Sequence, residues 1–304
     1  MELIKLKESQ AHFFQHLESK GKSFNTIKNY RSDLECFNHY LIEVKKNLKL
    51  ESFEPKEAQV YGQYLEKKYS SSNSIRRRIQ ALRLFFDYLV SLNKWDHNPI
   101  KSITTSPKKL FEPIPVHYSM ILKLDSALKE SSLDPNFNGT IALRNRVLFH
   151  LIYGSALKVS DIALLKTKDL ILHKKNPRVM IKNSQQETIS VPLMPSSVPL
   201  IEKYLPYTVD DFLLFNANAF KAFSGGLSPR GVELIFKNLS RQFKTSLTAR
   251  SLRLSCIYRW LMENKNESTI KEWMGVAPDY SLSHFKEIIQ KSPELTFFQS
   301  LENE

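Results

Sequence analysis

The sequence predicts a mainly α-helical protein of two domains, the second of which carries a small antiparallel β-sheet. Apolar residues recur at three- and four-residue intervals through the first hundred residues, which is the spacing of one face of a helix. A lysine-containing segment with three prolines, residues 102–115, interrupts this pattern and predicts an interdomain linker. The domains are therefore expected at residues 1–101 and 116–304.

Four helices are expected in the first domain. Phe13 begins the apolar stripe of the first helix, and Ser23 is placed to cap the second. The third is expected over residues 58–69. The fourth follows the polar run at residues 70–74, and the dipeptide at residues 98–99, Asn-Pro, is expected to end it, because a residue before proline disfavours the helical conformation.

The second domain changes character once. Residues 143–157 are strongly apolar and predict a buried helix. Short β-type runs follow at residues 179–181 and 189–191, on either side of a polar turn at residues 182–188. From there a helical pattern is expected to continue to about Gln290.

Composition limits the class of protein. The chain has 304 residues, of which 42% are hydrophobic and 25% charged, the balance of a globular protein. No apolar run approaches the roughly 18 residues of a membrane helix, and the N-terminus has no signal-like apolar stretch. A cytoplasmic location without a membrane partner is therefore expected. The two cysteines, Cys36 and Cys256, lack a paired spacing and are interpreted as buried thiols.

The net charge of +13 is unevenly distributed. Residues 1–111 hold 20 basic against 12 acidic residues, an excess of eight, so the smaller domain has the higher charge density. Such an excess favours a polyanionic partner, because lysine and arginine displace counterions from a phosphate backbone. A solvated basic surface without a partner is the alternative. An anionic membrane surface is disfavoured, since no amphipathic helix rich in Lys and Trp is present.

Three segments resemble the tyrosine recombinase family, which includes phage integrases and Xer-type recombinases. They are residues 24–34 (FNTIKNYRSDL), 74–86 (SIRRRIQALRLFF) and 153–161 (YGSALKVSD), and residues 250–285 continue the resemblance. It implies an N-terminal core-binding (SAM-like) domain and a C-terminal catalytic-type domain that together hold duplex DNA. No metal and no cofactor are implied.

The resemblance also implies a chemistry. In this family a tyrosine attacks a DNA phosphate and leaves a 3′-phosphotyrosine, while two arginines bind the phosphate oxygens. Histidines and a lysine on a β-turn position the phosphate and supply the proton to the leaving oxygen. The pattern is Arg, then His-x-x-Arg, then Gly-His about twenty residues later, then Tyr.

This chain departs from that pattern at most positions. Lys158 stands at the first arginine, Arg250 at the first histidine, and only Arg253 matches. Gly275 matches, but a valine follows it at the second histidine. Phe285, nine residues after that valine, stands at the nucleophile and has no oxygen. Positive charge is thus retained while the groups that attack or transfer protons are replaced.

Two assignments stay open. A gapless alignment puts Ser184 at the β-turn lysine, and Lys182 fits only after a short shift. Tyr280 is a conceivable substitute nucleophile, although it lies five residues before the expected position. Without chemistry at the site, Phe285 is simply a core aromatic on a terminal helix.

The predicted function is that of a tyrosine recombinase homologue that binds duplex DNA without cleaving it, in a recombination or integration setting. Lys158, Arg250 and Arg253, with Lys182, are expected to bind a backbone phosphate. The apolar segment 295–301 could dock onto a second copy or an active recombinase, or pack on its own domain. The alternatives are an active, divergent recombinase and an interaction protein without DNA binding. The residues expected to contact DNA in the first domain are Lys28, Arg31, Arg76, Arg77, Arg78 and Arg83.

Overall fold

A computed structural model describes residues 3–46, 53–105, 114–134, 136–183, 185–218, 222–291 and 301. Contacts divide the chain into two compact units, Met1–Phe111 and Glu112–Glu304. Most of the segment expected to be a linker, residues 106–113, lies outside the described residues.

In its described residues, the first unit has four α-helices and two short turns of other helix types. Ser23 accepts a hydrogen bond from the Thr26 backbone N–H and so caps the second helix, as expected. Ser71 caps the fourth in the same way. The bounds are α1 Leu3–Ser19, α2 Phe24–His39, α3 Pro55–Lys68 and α4 Ser72–Ser91, with a π-helical turn at Tyr40–Lys45 and a 3-10 helix at Pro99–Ser102.

The expected end of the fourth helix is wrong. α4 ends at Ser91, and Asn93 in the left-handed conformation, with φ 53°, turns the chain out of the helix there. Asn98 instead caps the 3-10 helix, its side-chain oxygen accepting from the Ile100 N–H at 2.9 Å. The chain then stays with the first unit, because the side chain of Ile103 is buried in its core.

Aromatic side chains form the centre of the first core. The ring of Phe37 on α2 lies 5.1 Å from Phe53, 5.2 Å from Tyr61 and 6.4 Å from Phe86, each close to edge-on. Edge-to-face pairs of this kind stabilise a core beyond the area they bury. They fix α2 against α3 and α4, so the outer faces of α2 and α4 are held rigidly.

The second unit is built around one buried helix. This helix, α6 (Phe137–Ser155), covers most of the apolar segment 143–157 and packs against its neighbours α5, α8 and α10. The bounds of the other helices are α5 Tyr118–Ser131, α7 Val159–Leu164, α8 Ser197–Tyr204, α9 Pro229–Gln242, α10 Ala249–Met262, α11 Glu267–Met274 and α12 Ser283–Lys291, with 3-10 helices at Thr167–Asp169 and Leu205–Tyr207.

The expected antiparallel sheet is confirmed. It has the order β1 (Leu170–Ile171), β2 (Arg178–Lys182) and β3 (Thr188–Pro192). Val179 pairs with Val191, and both are fully buried, which fixes the register of the hairpin.

A second sheet contradicts the expectation of continuous helix to about Gln290. It consists of β4 (Phe215–Ala217) and β5 (Phe223–Gly226), which pair antiparallel. The rings of Phe215 and Phe223 lie 4.1 Å apart across the two strands. Strands of three and four residues are too short to give a period-two pattern that the sequence could reveal.

Two smaller expectations concern the thiols and the membrane. Cys36 and Cys256 are both buried and unlinked, which confirms their interpretation as core thiols. Within the described residues no helix has the length and apolar character needed to cross a bilayer. The same residues contain no group of three or more His, Cys, Asp or Glu side chains arranged to hold a metal ion.

Candidate phosphate-binding site and nucleic-acid surface

The ends of two helices position the cationic residues of the second unit. Ala156, in the left-handed conformation with φ 49°, ends α6 and turns the chain into α7. Lys158 precedes α7, and its backbone N–H donates to the Asp161 carboxylate at 3.0 Å. Arg253 lies in the first turns of α10, whose start is capped by Thr248. Both cations are therefore held by capped helix ends.

Arg253 joins three elements. Its Nε donates to the carbonyl of Ala156 at 2.6 Å, and one terminal nitrogen donates to the carbonyl of Met274 at 3.4 Å. The guanidinium thus connects α10 to the ends of α6 and α11. Burial lowers the pKa of Arg253, and the Asp161 carboxylate opposes that shift.

Gly275 brings the β-hairpin to the same place. It ends α11 with φ 60°, a conformation that favours glycine. A Cβ at this position would lie 3.3 Å from Ile189 Cδ1, 3.6 Å from Asn183 Cβ and 3.7 Å from Lys158 Nζ. The Lys158 amine therefore ends beside the backbone of Gly275, near the turn that joins β2 to β3. The structure brings Lys158 and Arg253 together beside Gly275.

The site is electropositive and half-buried. Burial lowers the pKa of Lys158, and the neighbouring Arg253 lowers it further, while Asp161 raises it. An anion beside these two cations would stabilise the charged form of Lys158, whose pKa burial and Arg253 lower. A phosphate oxygen is the ligand that fits this charge and these donors.

Arg250 and Tyr280 lie at the edge of this site. Arg250 is exposed, one turn before Arg253, and its charge contributes to lowering the pKa of Arg253, for which burial is the largest cause. Tyr280 is 37% exposed, and it opposes that shift. Both side chains are thus within electrostatic range of the buried guanidinium.

Phe285 is a core residue of the second unit. It is 3% exposed, and its ring lies 5.6 Å from that of Tyr258 and 4.0 Å from that of His284. The side chain carries no group that could attack phosphorus. Val276, at the position of the second histidine, is half-buried and lines a cleft of about 450 Å³ together with Asn183. The side chains of Phe285 and Val276 can neither donate nor accept a proton.

Lys182 lies on the hairpin but not beside Gly275. It is exposed, and its Nζ donates to the Thr188 hydroxyl across the strand pair at 2.7 Å. Ile189 and Asn183 are the hairpin residues that lie next to Gly275. Ser184, the alternative assignment, lies outside the described residues. The role of Lys182 stays a prediction.

Sequence reasoning assigned no role to Asn183 or Asp161. Asn183 accepts from the backbone N–H groups of Gln185 and Glu187 at 2.9 and 3.0 Å, so it fixes the turn. Asp161 orients Lys158. Because side chains alternate between the two faces of a strand, the sequence could have placed Asn183 on the same face as Ile181. The polar turn, however, gave no indication of the residue at which the β2–β3 pairing ends.

Three of the six residues expected to contact DNA in the first unit are exposed. Lys28 and Arg31 lie on α2 and Arg76 lies on α4. The guanidinium of Arg31 lies 4.5 Å from the centre of the Phe14 ring, which holds the side chain in place. These cations are accessible to a polyanion.

The other three have partners within the first unit. Arg77 donates to the buried carboxylate of Asp33 at 3.0 Å. Arg78 stacks on Tyr69, with its guanidinium carbon 3.8 Å from the ring centre. Arg83 donates to the carbonyl of Ile103 at 3.0 Å. Their contact with DNA stays a prediction, and their structural role is established.

Two sequence models of one family match the chain. The model described as "Phage integrase, N-terminal SAM-like domain" matches residues 11–93. The model described as "Phage integrase family" matches residues 125–284, which ends one residue before Phe285. Together they cover the first unit from the middle of α1 to the end of α4, and the second unit from the middle of α5 to the start of α12.

A curated relative spans almost the same length. Tyrosine recombinase XerD of Listeria monocytogenes serovar 1/2a is 27% identical over 283 residues, which is 90% of each chain.

Solved structures share the fold at low identity. A lambda integrase dimer bound to a COC′ core site has a TM-score of 0.69 and 15% identity, covering 92% of this chain and 97% of that one. The Tn1549 transposon integrase, with one tyrosine replaced by phenylalanine and in complex with transposon right-end DNA, has a TM-score of 0.65 and 11% identity, covering 94% and 99%. The family matches over both units show that the chain belongs to the phage integrase family of tyrosine recombinases, and the solved structures share its fold.

Proposed function

We propose that this protein binds duplex DNA and holds a backbone phosphate in its second unit without cleaving the strand. The observation that carries the proposal is the convergence of Lys158 and Arg253 beside Gly275, with Phe285 buried where the family has its nucleophile. The site keeps its positive charge and lacks the attacking oxygen.

The missing groups correspond to separate steps of the reaction. Strand cleavage needs a nucleophile and a proton donor for the leaving oxygen. Phe285 provides no oxygen and Val276 provides no proton. Arg250 cannot transfer protons near neutral pH, because a guanidinium stays protonated. Electrostatic binding of the phosphate needs none of these steps.

Two structural relatives support DNA as the partner. The lambda integrase dimer is bound to a core site, and the Tn1549 integrase in its tyrosine-to-phenylalanine form is in complex with DNA. The second combines a phenylalanine substitution with DNA binding, which is the combination proposed for this chain. The excess of eight positive charges in residues 1–111 favours the same partner.

Self-association belongs to the same proposal. The only described residue of the apolar segment 295–301 is Leu301, which is 5% exposed and packs on the core of its own unit. The other residues of the segment lie outside the described part of the chain. A second copy or an active recombinase stays a proposed partner, and a cytoplasmic location stays a prediction.

An active, divergent recombinase is the second candidate function, and the position of Tyr280 favours it. This side chain is 37% exposed and within electrostatic range of Arg253. Attack by its oxygen on a phosphate held by Lys158 and Arg253 would form a phosphotyrosine and release a 5′-hydroxyl. The backbone N–H of Tyr280 donates to the carbonyl of Ala277 at 3.0 Å, in a turn before α12. The nucleophile of such a site would therefore lie in a loop.

A nicked suicide duplex separates these functions. We expect the wild-type protein to retard the duplex in a gel, with affinity that falls steeply as salt rises, and to form no covalent adduct under denaturing conditions. An adduct that disappears in Tyr280→Phe would contradict the proposal and establish the second candidate. Absence of binding at low salt would support an interaction protein without DNA binding.

Exposed cations of the first unit are expected to set the salt dependence. Lys28→Ala and Arg76→Ala should each reduce the slope of log affinity against log salt by about one unit, because each removes one phosphate contact. Their thermal unfolding should match that of the wild type, since both side chains are exposed.

Two further variants serve as controls for this series. Lys67→Ala removes an exposed cation of α3 outside the expected set, and its slope should stay at the wild-type value. Arg83→Ala should lower stability, because the Ile103 carbonyl loses its donor. Unchanged slopes for both Lys28→Ala and Arg76→Ala would remove this surface from the binding site.

A further inference from the structure

Phe24 exposes a large apolar ring to water, which is unfavourable. It is 79% exposed, more than any other large apolar side chain in the described part of the chain. It is the first residue of α2, directly after the Ser23 cap. The hydrogen-bonded cap and the buried face of α2 fix this residue, so its exposure does not come from a frayed terminus.

The surroundings of the ring are basic. Residues 20–31 contain four cations and no acidic residue. Lys28 and Arg31 follow Phe24 by four and seven positions, so all three lie along one face of α2. Both cations are exposed, and Arg31 is held against the Phe14 ring. An apolar ring among cations fits a partner that is anionic and also offers a small apolar group.

Duplex DNA meets both requirements in its major groove. Thymine presents a 5-methyl group there, which phenylalanine contacts in specific complexes, and phosphates line the groove at a width of about 12 Å. Along the helix axis Lys28 and Arg31 are about 6 and 10 Å from Phe24. A helix whose first turn lies in the groove would therefore bring these cations to the phosphates at its edge.

We propose that Phe24 is a specificity-determining residue that contacts the 5-methyl group of a thymine in the major groove, while Lys28 and Arg31 bind the flanking phosphates. This inference rests on the proposed DNA binding and adds sequence preference to it. A membrane surface is the less favoured partner, because one isolated ring among cations provides too little apolar area for stable anchoring.

Replacement of single thymines by deoxyuridine tests the contact, because it removes only the methyl group. A preferred duplex is first selected from a random library with the full chain at moderate salt. Dissociation constants are then measured for the wild type and Phe24→Ala, on this duplex and on duplexes with each thymine replaced in turn. We expect one replacement to weaken wild-type binding about three- to five-fold, the contribution of one buried methyl group.

The substitution and the base replacement should not be independent. On the thymine duplex, Phe24→Ala should bind about three- to five-fold more weakly than the wild type. On the deoxyuridine duplex, the affinity of Phe24→Ala should fall no further. Its salt slope should equal that of the wild type. Leu92→Ala, which shortens another exposed apolar side chain of the same unit, should bind both duplexes as the wild type does.

The outcomes distinguish the two proposals. A wild type that binds no duplex at low salt overturns the proposed function and this inference with it. A wild type that binds but selects no sequence, or is insensitive to every deoxyuridine, overturns only the thymine contact. The thymine contact is likewise overturned if the loss of affinity from Phe24→Ala and the loss from deoxyuridine are independent, so that together they multiply the dissociation constant. Phe24→Ala that binds as the wild type but loses affinity for anionic lipid vesicles would favour the membrane instead.

Discussion

Arg253→Ala is expected to weaken duplex binding by about 10- to 100-fold, the largest loss of any single substitution in the phosphate site. A charged hydrogen bond that is lost in a partly dehydrated site is worth about 1.5–3 kcal/mol. The side chain is held by the carbonyls of Ala156 and Met274, so its position is set before DNA arrives. A gel-shift or anisotropy titration at fixed salt measures the loss.

Stability has to be measured on the same variant. The two carbonyls lose their donor, and we expect the free energy of unfolding to fall by about 1–3 kcal/mol. Arg253→Lys keeps a charge without the planar fork and should restore only part of the affinity. Arg250→Ala is the matched control. This exposed arginine lies one turn away, so its replacement should reduce the affinity for DNA less than Arg253→Ala does. A folded Arg253→Ala protein that binds as tightly as the wild type would refute the phosphate role.

The larger elements of the fold were predictable because their patterns are long. α6 and the β2–β3 hairpin follow from an apolar segment of fifteen residues and from two β-type runs around a polar turn. The β4–β5 sheet was not predictable, since each strand has too few residues to display a period. The end of α4 depended on the backbone conformation of Asn93, to which no proline rule applies.

The sequence could place the candidate site residues along the chain, but it could not show which residues contact them. The order of the motifs placed Lys158, Arg253 and Phe285, because the resemblance fixes positions along the chain. It could not reveal that Asp161 orients Lys158 or that Asn183 lies beside Gly275, since these are contacts in space.

The first unit illustrates the same limit with charges. Arg76, Arg77 and Arg78 are consecutive and look alike in the sequence. Only the structure distinguishes the exposed Arg76 from Arg77, whose partner Asp33 lies 44 positions earlier in the chain. A run of arginines therefore predicts a basic helix, but the number available to a ligand depends on the acids that the fold brings against it.

The largest expected loss of stability comes from a carboxylate remote from the phosphate site. Asp125 on α5 accepts two hydrogen bonds from Arg146 on α6, at 2.8 and 2.9 Å, and one from His150 Nε2 at 2.9 Å. The buried His150 also pairs through Nδ1 with the Ser197 hydroxyl at 3.1 Å, which joins α8 to the group. The carboxylate thus connects α5 to α6, the buried helix around which the second unit is built.

Asp125→Ala should lower the free energy of unfolding by about 3–5 kcal/mol, because it leaves a charged arginine and a buried histidine without their acceptor. Denaturant unfolding measures the change. Glu130→Ala, which removes an exposed carboxylate from the same helix, should stay within about 0.5 kcal/mol of the wild type. A loss below about 1 kcal/mol for Asp125→Ala would mean that the group adds little to stability.

The same group predicts acid sensitivity. Burial raises the pKa of Asp125, but the hydrogen bonds and charges of His150 and Arg146 outweigh it and hold that pKa well below its usual range. Burial lowers the pKa of His150. Both groups bind protons more readily in the unfolded chain, so stability falls as pH falls: through His150 below about pH 6.5, and through Asp125 below about pH 4. Unfolding followed from pH 7 to pH 4 should show this decline in the wild type, and it should be smaller in His150→Gln, which lacks the titrating imidazole.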